Sequence, residues 1–132
     1  MGKQKVVGRL ASIPELQGVA RLLSEPELKA FVQRIKRMSS LGAVSEMFDF
    51  AGLDPSELQA RLRRWGLGAE RTCFAVWPRD AAGCEVDSNL FIRFYDDLWY
   101  PASDDVWVAH NNSGWMIEVN HEEVARLWRF PV

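Results

Sequence analysis

A chain of 132 residues that is 48% hydrophobic and 26% charged has the size and composition of one ordinary folded domain. These proportions exclude wholesale disorder, and no apolar stretch approaches the roughly 20 residues that a bilayer-spanning helix needs. The first residues are cationic but lack a following apolar run, so a secretory signal is not expected. We therefore expect a single domain over residues 1–132 that works in the cytoplasm.

Charge is distributed unevenly along the chain. Residues 1–70 hold eleven basic and eight acidic side chains, whereas residues 71–132 hold five basic and ten acidic ones. Between Asp80 and Glu123 ten acids accompany the single base Arg93. Charge of one sign on one surface acts on partner choice and association rate, so the sequence predicts an acidic surface that meets a basic partner.

Helix-start signals and apolar repeats divide the first half, about residues 12–66, into three or four helices. Ser24 followed by Glu-Pro-Glu and Asp54 followed by Pro-Ser-Glu are typical of helix N-termini. The predicted helices cover about residues 14–23, from Ser24 to about Met38, about residues 41–48, and from Asp54 to about Trp65.

After Gly68 short apolar runs rich in β-branched and aromatic residues replace the helical period. They predict strands over residues 72–77, 90–95, 106–110 and 115–119, with residues 111–114 forming a hairpin turn between the last two. Residues 121–130 fit either a strand or a helix, and we favour a strand. The expected fold is α+β, with the N-terminal helices packed on a C-terminal antiparallel sheet of four or five strands over about residues 71–130.

The segment from residue 94 to residue 107 contains two Asp-Asp pairs, each followed after one aliphatic residue by a tryptophan. Neighbouring carboxylates repel one another, so they are tolerated where they are solvated or where they meet a cation. Tryptophan and tyrosine supply large, stiff contact area. The sequence predicts a partner-binding patch of four acids and four aromatic anchors, which are Asp96, Asp97, Asp104, Asp105, Tyr95, Trp99, Tyr100 and Trp107.

The same residues also have a purely structural interpretation. The aspartates suit loops around Pro101, and the tryptophans suit a buried core. Both interpretations hold together if the tryptophans point inward while the acids point outward.

The run over residues 95–108, with Asn-Asn-Ser-Gly-Trp-Met-Ile at residues 111–117 and His-Glu-Glu at residues 121–123, resembles the C-terminal strands of small bacterial immunity proteins. Such proteins neutralise polymorphic or contact-dependent growth inhibition toxins. The resemblance covers about residues 90–130, a third of the chain. It implies a cytoplasmic, non-enzymatic inhibitor of a cognate toxin domain, often a basic nuclease.

Candidate catalytic and metal-binding residues are present, but their spacing along the chain matches no catalytic or metal-binding motif. A metal site of Asp104, Asp105, His110 and His121 is conceivable because divalent cations accept oxygen and imidazole ligands. Cys73 and Cys84 belong to no metal or redox motif. We predict no cofactor, no metal and no catalytic residue, and keep a small metal-binding domain and an uncharacterised enzyme as alternatives.

A nucleic-acid-binding domain is the other alternative. The residues that would bind nucleic acid form two short basic clusters at predicted helix ends, where the helix dipole favours cations for structural reasons. The pI of about 5.7 argues against it, since a phosphate-binding domain is usually strongly basic. The two clusters are Arg34, Lys36 and Arg37, and Arg61, Arg63 and Arg64.

Overall fold

The computed structural model describes residues 2–95, 98 and 105–130, without the side chains of residues 2, 3 and 5. Within this part of the chain four α-helices and seven strands confirm the α+β class. The helices are α1 (Gly2–Ser12), α2 (Glu25–Leu41), α3 (Pro55–Arg64) and α4 (Ser88–Arg93). The strands are β1 (Ala20–Leu22), β2 (Ala43–Asp49), β3 (Thr72–Trp77), β4 (Ala82–Asp87), β5 (Val106–Ala109), β6 (Trp115–Val119) and β7 (Val124–Arg129).

The strands form one antiparallel sheet in the order β1-β4-β3-β5-β6-β7-β2. The predicted sheet of four or five strands is too small. β1 and β2 come from the half of the chain that we expected to be helical, and β4 was not predicted. Both of these early strands are edge strands. The sheet therefore draws on nearly the whole sequence, and the division into a helical half and a sheet half is wrong.

Side chains of the sheet alternate between two buried faces. The first face packs against α1, α3 and α4, through residues such as Leu10, Leu62 and Ile92. The second face packs against α2, through Phe31 and Met38. Because the central strands are covered on both sides, they are apolar at nearly every position, as in Val106–Ala109, where all four residues are buried.

The two predicted helices with the strongest start signals are confirmed. Ser24 accepts a hydrogen bond from the backbone N–H of Glu27, and the Glu27 carboxylate accepts one from the Ser24 N–H, which closes a capping box at the start of α2. Asp54 accepts from the Ser56 N–H at the start of α3. Both caps satisfy backbone donors that a helix leaves unpaired at its N-terminus.

In two segments the predicted helix and the predicted strand are exchanged. Residues 43–49 form strand β2 rather than a helix, since α2 ends at Leu41 and the following residues pair with β7. Residues 88–93 form helix α4 rather than a strand, since the Asp87 carboxylate accepts hydrogen bonds from the N–H groups of Asn89 and Leu90 and starts a helix there. A helix therefore follows β4, so the helices are not all N-terminal.

The segment predicted as a first helix over about residues 14–23 is a single 3₁₀ turn, Pro14–Leu16, followed by β1. Gly18 has φ +80°, a left-handed conformation that ends the helical path. The helix that does form near the N-terminus is α1, which buries Val6 and Leu10.

The remaining strand predictions are confirmed. β3, β5 and β6 lie where the apolar runs placed them, and β5 pairs with β6 across the predicted hairpin turn. The C-terminal segment is a strand, β7, which lies between β6 and β2.

One glycine joins the helix on the second face to an edge of the sheet. Gly42 is the only residue between α2 and β2, and its N–H donates to the carbonyl of Met38 at 2.8 Å. A methyl group at this position would collide with the Met38 sulfur and approach the Arg129 carbonyl to 3.0 Å. The chain therefore passes from helix to strand with no room for a side chain.

Candidate functional site

Four acidic residues from three separate segments lie at one end of the sheet, where β5 and β7 begin and where β6 and β2 end. Asp105 precedes β5, Glu122 and Glu123 lie in the turn between β6 and β7, and Asp49 closes β2. Glu122 and Glu123 are exposed. We call these four residues the acidic end.

Asp105 is held in place by the turn between β6 and β7. Its Oδ1 atom accepts from the backbone N–H of His121 and lies 3.2 Å from the His121 Nδ1. About a third of the Asp105 side chain remains exposed, and about half of the His121 side chain does. The carboxylate thus orders the turn and still faces solvent.

Asn120 builds the turn that carries the two glutamates. Its side-chain oxygen accepts from the N–H groups of Glu122 and Val124 at 3.0 and 3.2 Å, and its backbone carbonyl accepts from the Glu123 N–H at 3.0 Å. Glu123 adopts φ +62°, the left-handed conformation that such a tight turn needs. The Glu123 carbonyl then accepts from the Phe50 N–H, which ties the turn to the end of β2.

Two of the predicted aromatic anchors are buried. Tyr95 is 6% exposed and packs edge-on against Phe50 with 6.2 Å between ring centroids. Trp107 is also 6% exposed and lies 5.7 Å from Trp128 on the second face of the sheet. Both fit the interpretation in which aromatic side chains point inward, while their contact with a partner stays a prediction.

The other predicted site residues lie outside the described part of the chain, apart from Asp105. Their binding role stays a prediction from the sequence. These residues are Asp96, Asp97, Trp99, Tyr100 and Asp104.

The acidic stretch of the sequence does not gather onto one surface as a whole. Glu85 pairs with Arg21 at 2.9 Å, Asp87 caps α4 at the opposite end of the sheet, and Glu118 is buried. The Glu118 carboxylate accepts from the indole N–H of Trp128 at 3.0 Å and lies 3.4 Å from Arg126. Conversely, Asp49 joins the acidic end from a part of the chain that carries a net positive charge.

His110 is a structural residue. It is 1% exposed, and its Nε2 atom accepts from the N–H groups of Gly68 and Glu70. The Nε2 atom also lies 3.2 Å from the Gly66 carbonyl, and the Nδ1 atom lies 2.8 Å from the Thr72 carbonyl. With both ring nitrogens engaged by backbone groups, His110 has no free lone pair for a metal or for a substrate proton.

The described residues contain no group of three or more His, Cys, Asp or Glu side chains that could hold a metal ion. Cys73 and Cys84 are fully buried, and burial raises the pKa of both thiols, that of Cys84 to about 12. Both therefore stay in the neutral, unreactive form at neutral pH.

Basic side chains gather at the other end of the sheet, where Glu70 and Asp87 are also found. Several of them have partners inside the fold: Arg34 donates to the carbonyls of His110 and Ser113, and Arg63 donates to Asn89. Burial lowers the pKa of the half-buried Arg34 below its ordinary value.

Comparison with protein-family models, with curated proteins and with solved structures finds no match for this chain. None of the helices in the described part of the chain combines the length and the apolar character required to cross a bilayer.

Proposed function

We propose that this protein is an immunity-type inhibitor that binds and neutralises a cognate bacterial toxin domain through its acidic end. The observation that carries the proposal is the position of Asp49, Asp105, Glu122 and Glu123 at the same end of the sheet. Among the described residues no arginine or lysine lies within ion-pair distance of Glu122 or Glu123. Their charge is available to a cationic partner.

The acidic end is also rigid, which favours binding. Asp105 and Asn120 fix the turn by side-chain hydrogen bonds, and Asp49 accepts from the Ala51 N–H at 2.9 Å. The Asp49 and Asp105 carboxylates and the backbone of the turn therefore lose little conformational freedom when a partner binds, so less of the interaction energy is lost to ordering.

A basic toxin domain, such as a nuclease that binds phosphates, is the partner that this charge fits. The predicted patch at residues 95–107 directly precedes β5, so Asp96, Asp97 and Asp104 are close in sequence to Asp105. We propose that they extend the acidic end, with Trp99 and Tyr100 as aromatic anchors, and that the protein works without cofactor or catalysis in the cytoplasm.

The test uses the toxin domain encoded beside this gene, purified in an inactive form and titrated by calorimetry. Glu122→Gln/Glu123→Gln removes two charges and keeps the size and shape of the side chains. We expect the affinity for the toxin domain to fall about tenfold or more at low salt, and we expect that affinity to depend less on salt concentration. Both follow because fewer charges attract the partner during association and pair with it in the complex.

Glu15→Gln/Glu25→Gln is the matched control, since it removes two exposed carboxylates that lie elsewhere on the surface. It should bind like the unaltered protein. Equal loss in both variants would show that net charge alone matters, and no loss in either would refute the proposed site. Absence of any toxin gene beside this one, together with no binding, would refute the function itself.

A further inference from the structure

Strand β2 is an open edge of the sheet. It is seven residues long, and every residue except Phe48 is exposed, including Met47 at 58% and Val44 at 38%. The strand at the opposite edge, β1, has only three residues. Since no other described strand lies outside β2, its outward backbone groups are free to pair with another strand.

The hydrogen bonds to β7 show which backbone groups of β2 point outward. The Phe50 N–H donates to the Glu123 carbonyl, and Asp49 and Met47 lie opposite Val124 and Arg126. Hydrogen-bonded and non-bonded pairs alternate in an antiparallel ladder. The N–H and C=O groups of Met47 and Asp49 therefore point away from β7, toward solvent.

A two-fold axis at Met47 uses these groups. It places Met47 opposite Met47 of a second copy as a hydrogen-bonded pair, and it places Phe48 opposite Glu46 of that copy. A two-fold axis at Glu46 would instead set two carboxylates directly opposite one another, which is unfavourable. The outward backbone groups and the repulsion between the carboxylates thus both favour a two-fold axis at Met47.

The side chains on the first face support this arrangement. The Arg61 guanidinium pairs with Glu57 of its own helix at 3.0 Å and lies 4.9 Å from the centroid of the Phe48 ring, and Arg64 lines the same shallow cleft. Glu46 of the second copy, placed opposite Phe48, would approach Arg61. Two-fold symmetry makes this contact twice.

The two ends of β2 lie beside opposite charges, so two copies of the strand are complementary in charge when they pair antiparallel. The Ala43 end lies beside Arg129, and the Asp49 end lies beside Glu122 and Glu123. Antiparallel pairing sets the basic end of one copy against the acidic end of the other, whereas parallel pairing would set like charges together.

We infer that the occupant of this edge is a second copy of the chain, paired antiparallel through β2 and centred on Met47. The two sheets then become one continuous sheet. A contact of one strand edge is smaller than a standard interface, so the dimer is weak and concentration-dependent, with a dissociation constant on the order of 10 µM.

Sedimentation velocity over about 1–200 µM of the full chain tests the inference, this range bracketing the expected constant. The unaltered protein should pass from monomer to dimer, and Met47→Lys should raise the dissociation constant about tenfold or more, because two ammonium groups would meet at the axis. Leu22→Lys on β1 is the control and should dimerise normally. A protein that stays monomeric, or one that Met47→Lys leaves dimeric, overturns the inference.

Covalent capture and charge exchange provide two independent readouts. Met47→Cys should form a disulfide-linked dimer on oxidation, because hydrogen-bonded pairs lie about 5.5 Å apart between Cα atoms, whereas Leu22→Cys should not. Glu46→Arg should weaken the dimer, and Glu46→Arg/Arg61→Glu should restore it. A cross-link that forms equally in both cysteine variants, or a charge exchange without restoration, overturns the inference.

Discussion

His110 fixes the loop between α3 and β3 to the end of β5. Four backbone groups contact its ring nitrogens: the N–H groups of Gly68 and Glu70 and the carbonyls of Gly66 and Thr72. The ring also packs edge-on against Trp115 with 5.4 Å between centroids. A buried histidine with every ring nitrogen engaged acts as a structural connector, because each lost hydrogen bond would leave a buried polar group without a partner.

His110→Ala should therefore lower the free energy of unfolding by about 2–4 kcal/mol. His121→Ala, which removes an exposed ring beside Asp105, should change it by less than about 1 kcal/mol. Urea denaturation of both variants measures the difference. Equal effects of the two substitutions would contradict the structural role of His110.

Glu27 is the residue whose protonation most clearly couples to the fold. Hydrogen bonds from Arg21 and from the Ser24 backbone lower the pKa of Glu27 to about 2. Because the folded pKa lies below the ordinary value of 4.5, ionised Glu27 stabilises the fold above pH 4.5, and this contribution disappears as pH falls toward 2.

Glu27→Gln should accordingly be less stable than the unaltered chain at pH 6, and the difference should shrink as pH falls from 4.5 toward about 2. Urea midpoints at pH 6, 3 and 2 measure it, and the exposure of the pair keeps the effect small. A difference that does not vary with pH would show that Glu27 acts only by packing.

The capping box of α2 is the clearest test at the level of elements. Ser24→Ala should cost about 1 kcal/mol, because the Glu27 N–H loses its acceptor. Ser40→Ala, on the exposed side of the last turn of the same helix, should change stability by less than about 0.5 kcal/mol. Thermal unfolding of the two variants separates the loss of the helix cap from any general effect of replacing a serine in this helix.

Elements whose signals are local were predicted well. The caps at Ser24 and Asp54 are chemical features of a few neighbouring residues, and the aromatic runs of β3, β5 and β6 need only a buried surface. The apolar residues of the segment at residues 43–49 are spaced as in a helix, but the segment is an edge strand. Val44 and Met47 are exposed there, so their spacing does not mark a buried helical face. Its identity depends on β7, which lies about 80 residues later in the sequence.

The candidate site shows the same limit. Asp105 is a predicted site residue. Glu122 and Glu123 are not, although the predicted pairing of β5 with β6 brings the turn after β6 close to Asp105. Asp49 could not have been placed beside them, since the contact depends on the pairing of β2 with β7. The turn residues after Asp49, Ala-Gly at residues 51–52, were the only local sign that a strand ended there.

The molecule as a whole has two apolar clusters that share one sheet. Met38 on the second face and Leu62 on the first are each at most 1% exposed. Because β3, β5 and β6 contribute side chains to both clusters, neither cluster can come apart while the other stays intact. We expect cooperative unfolding.

Met38→Ala and Leu62→Ala should each cost about 2–5 kcal/mol. In both variants far-UV circular dichroism and tryptophan fluorescence should give coincident transitions. A separate early transition in either variant would show that the two clusters fold independently.

Gly42 is the single residue that connects helix α2 to strand β2, and these two elements face different surroundings. β2 is open to solvent, whereas α2 covers the second face, and no slack in the chain separates them. Any molecule that orders the edge strand must also restrain the final turn of α2. The amide hydrogens of residues 38–42 would then exchange more slowly with heavy water, although the bound molecule touches none of them.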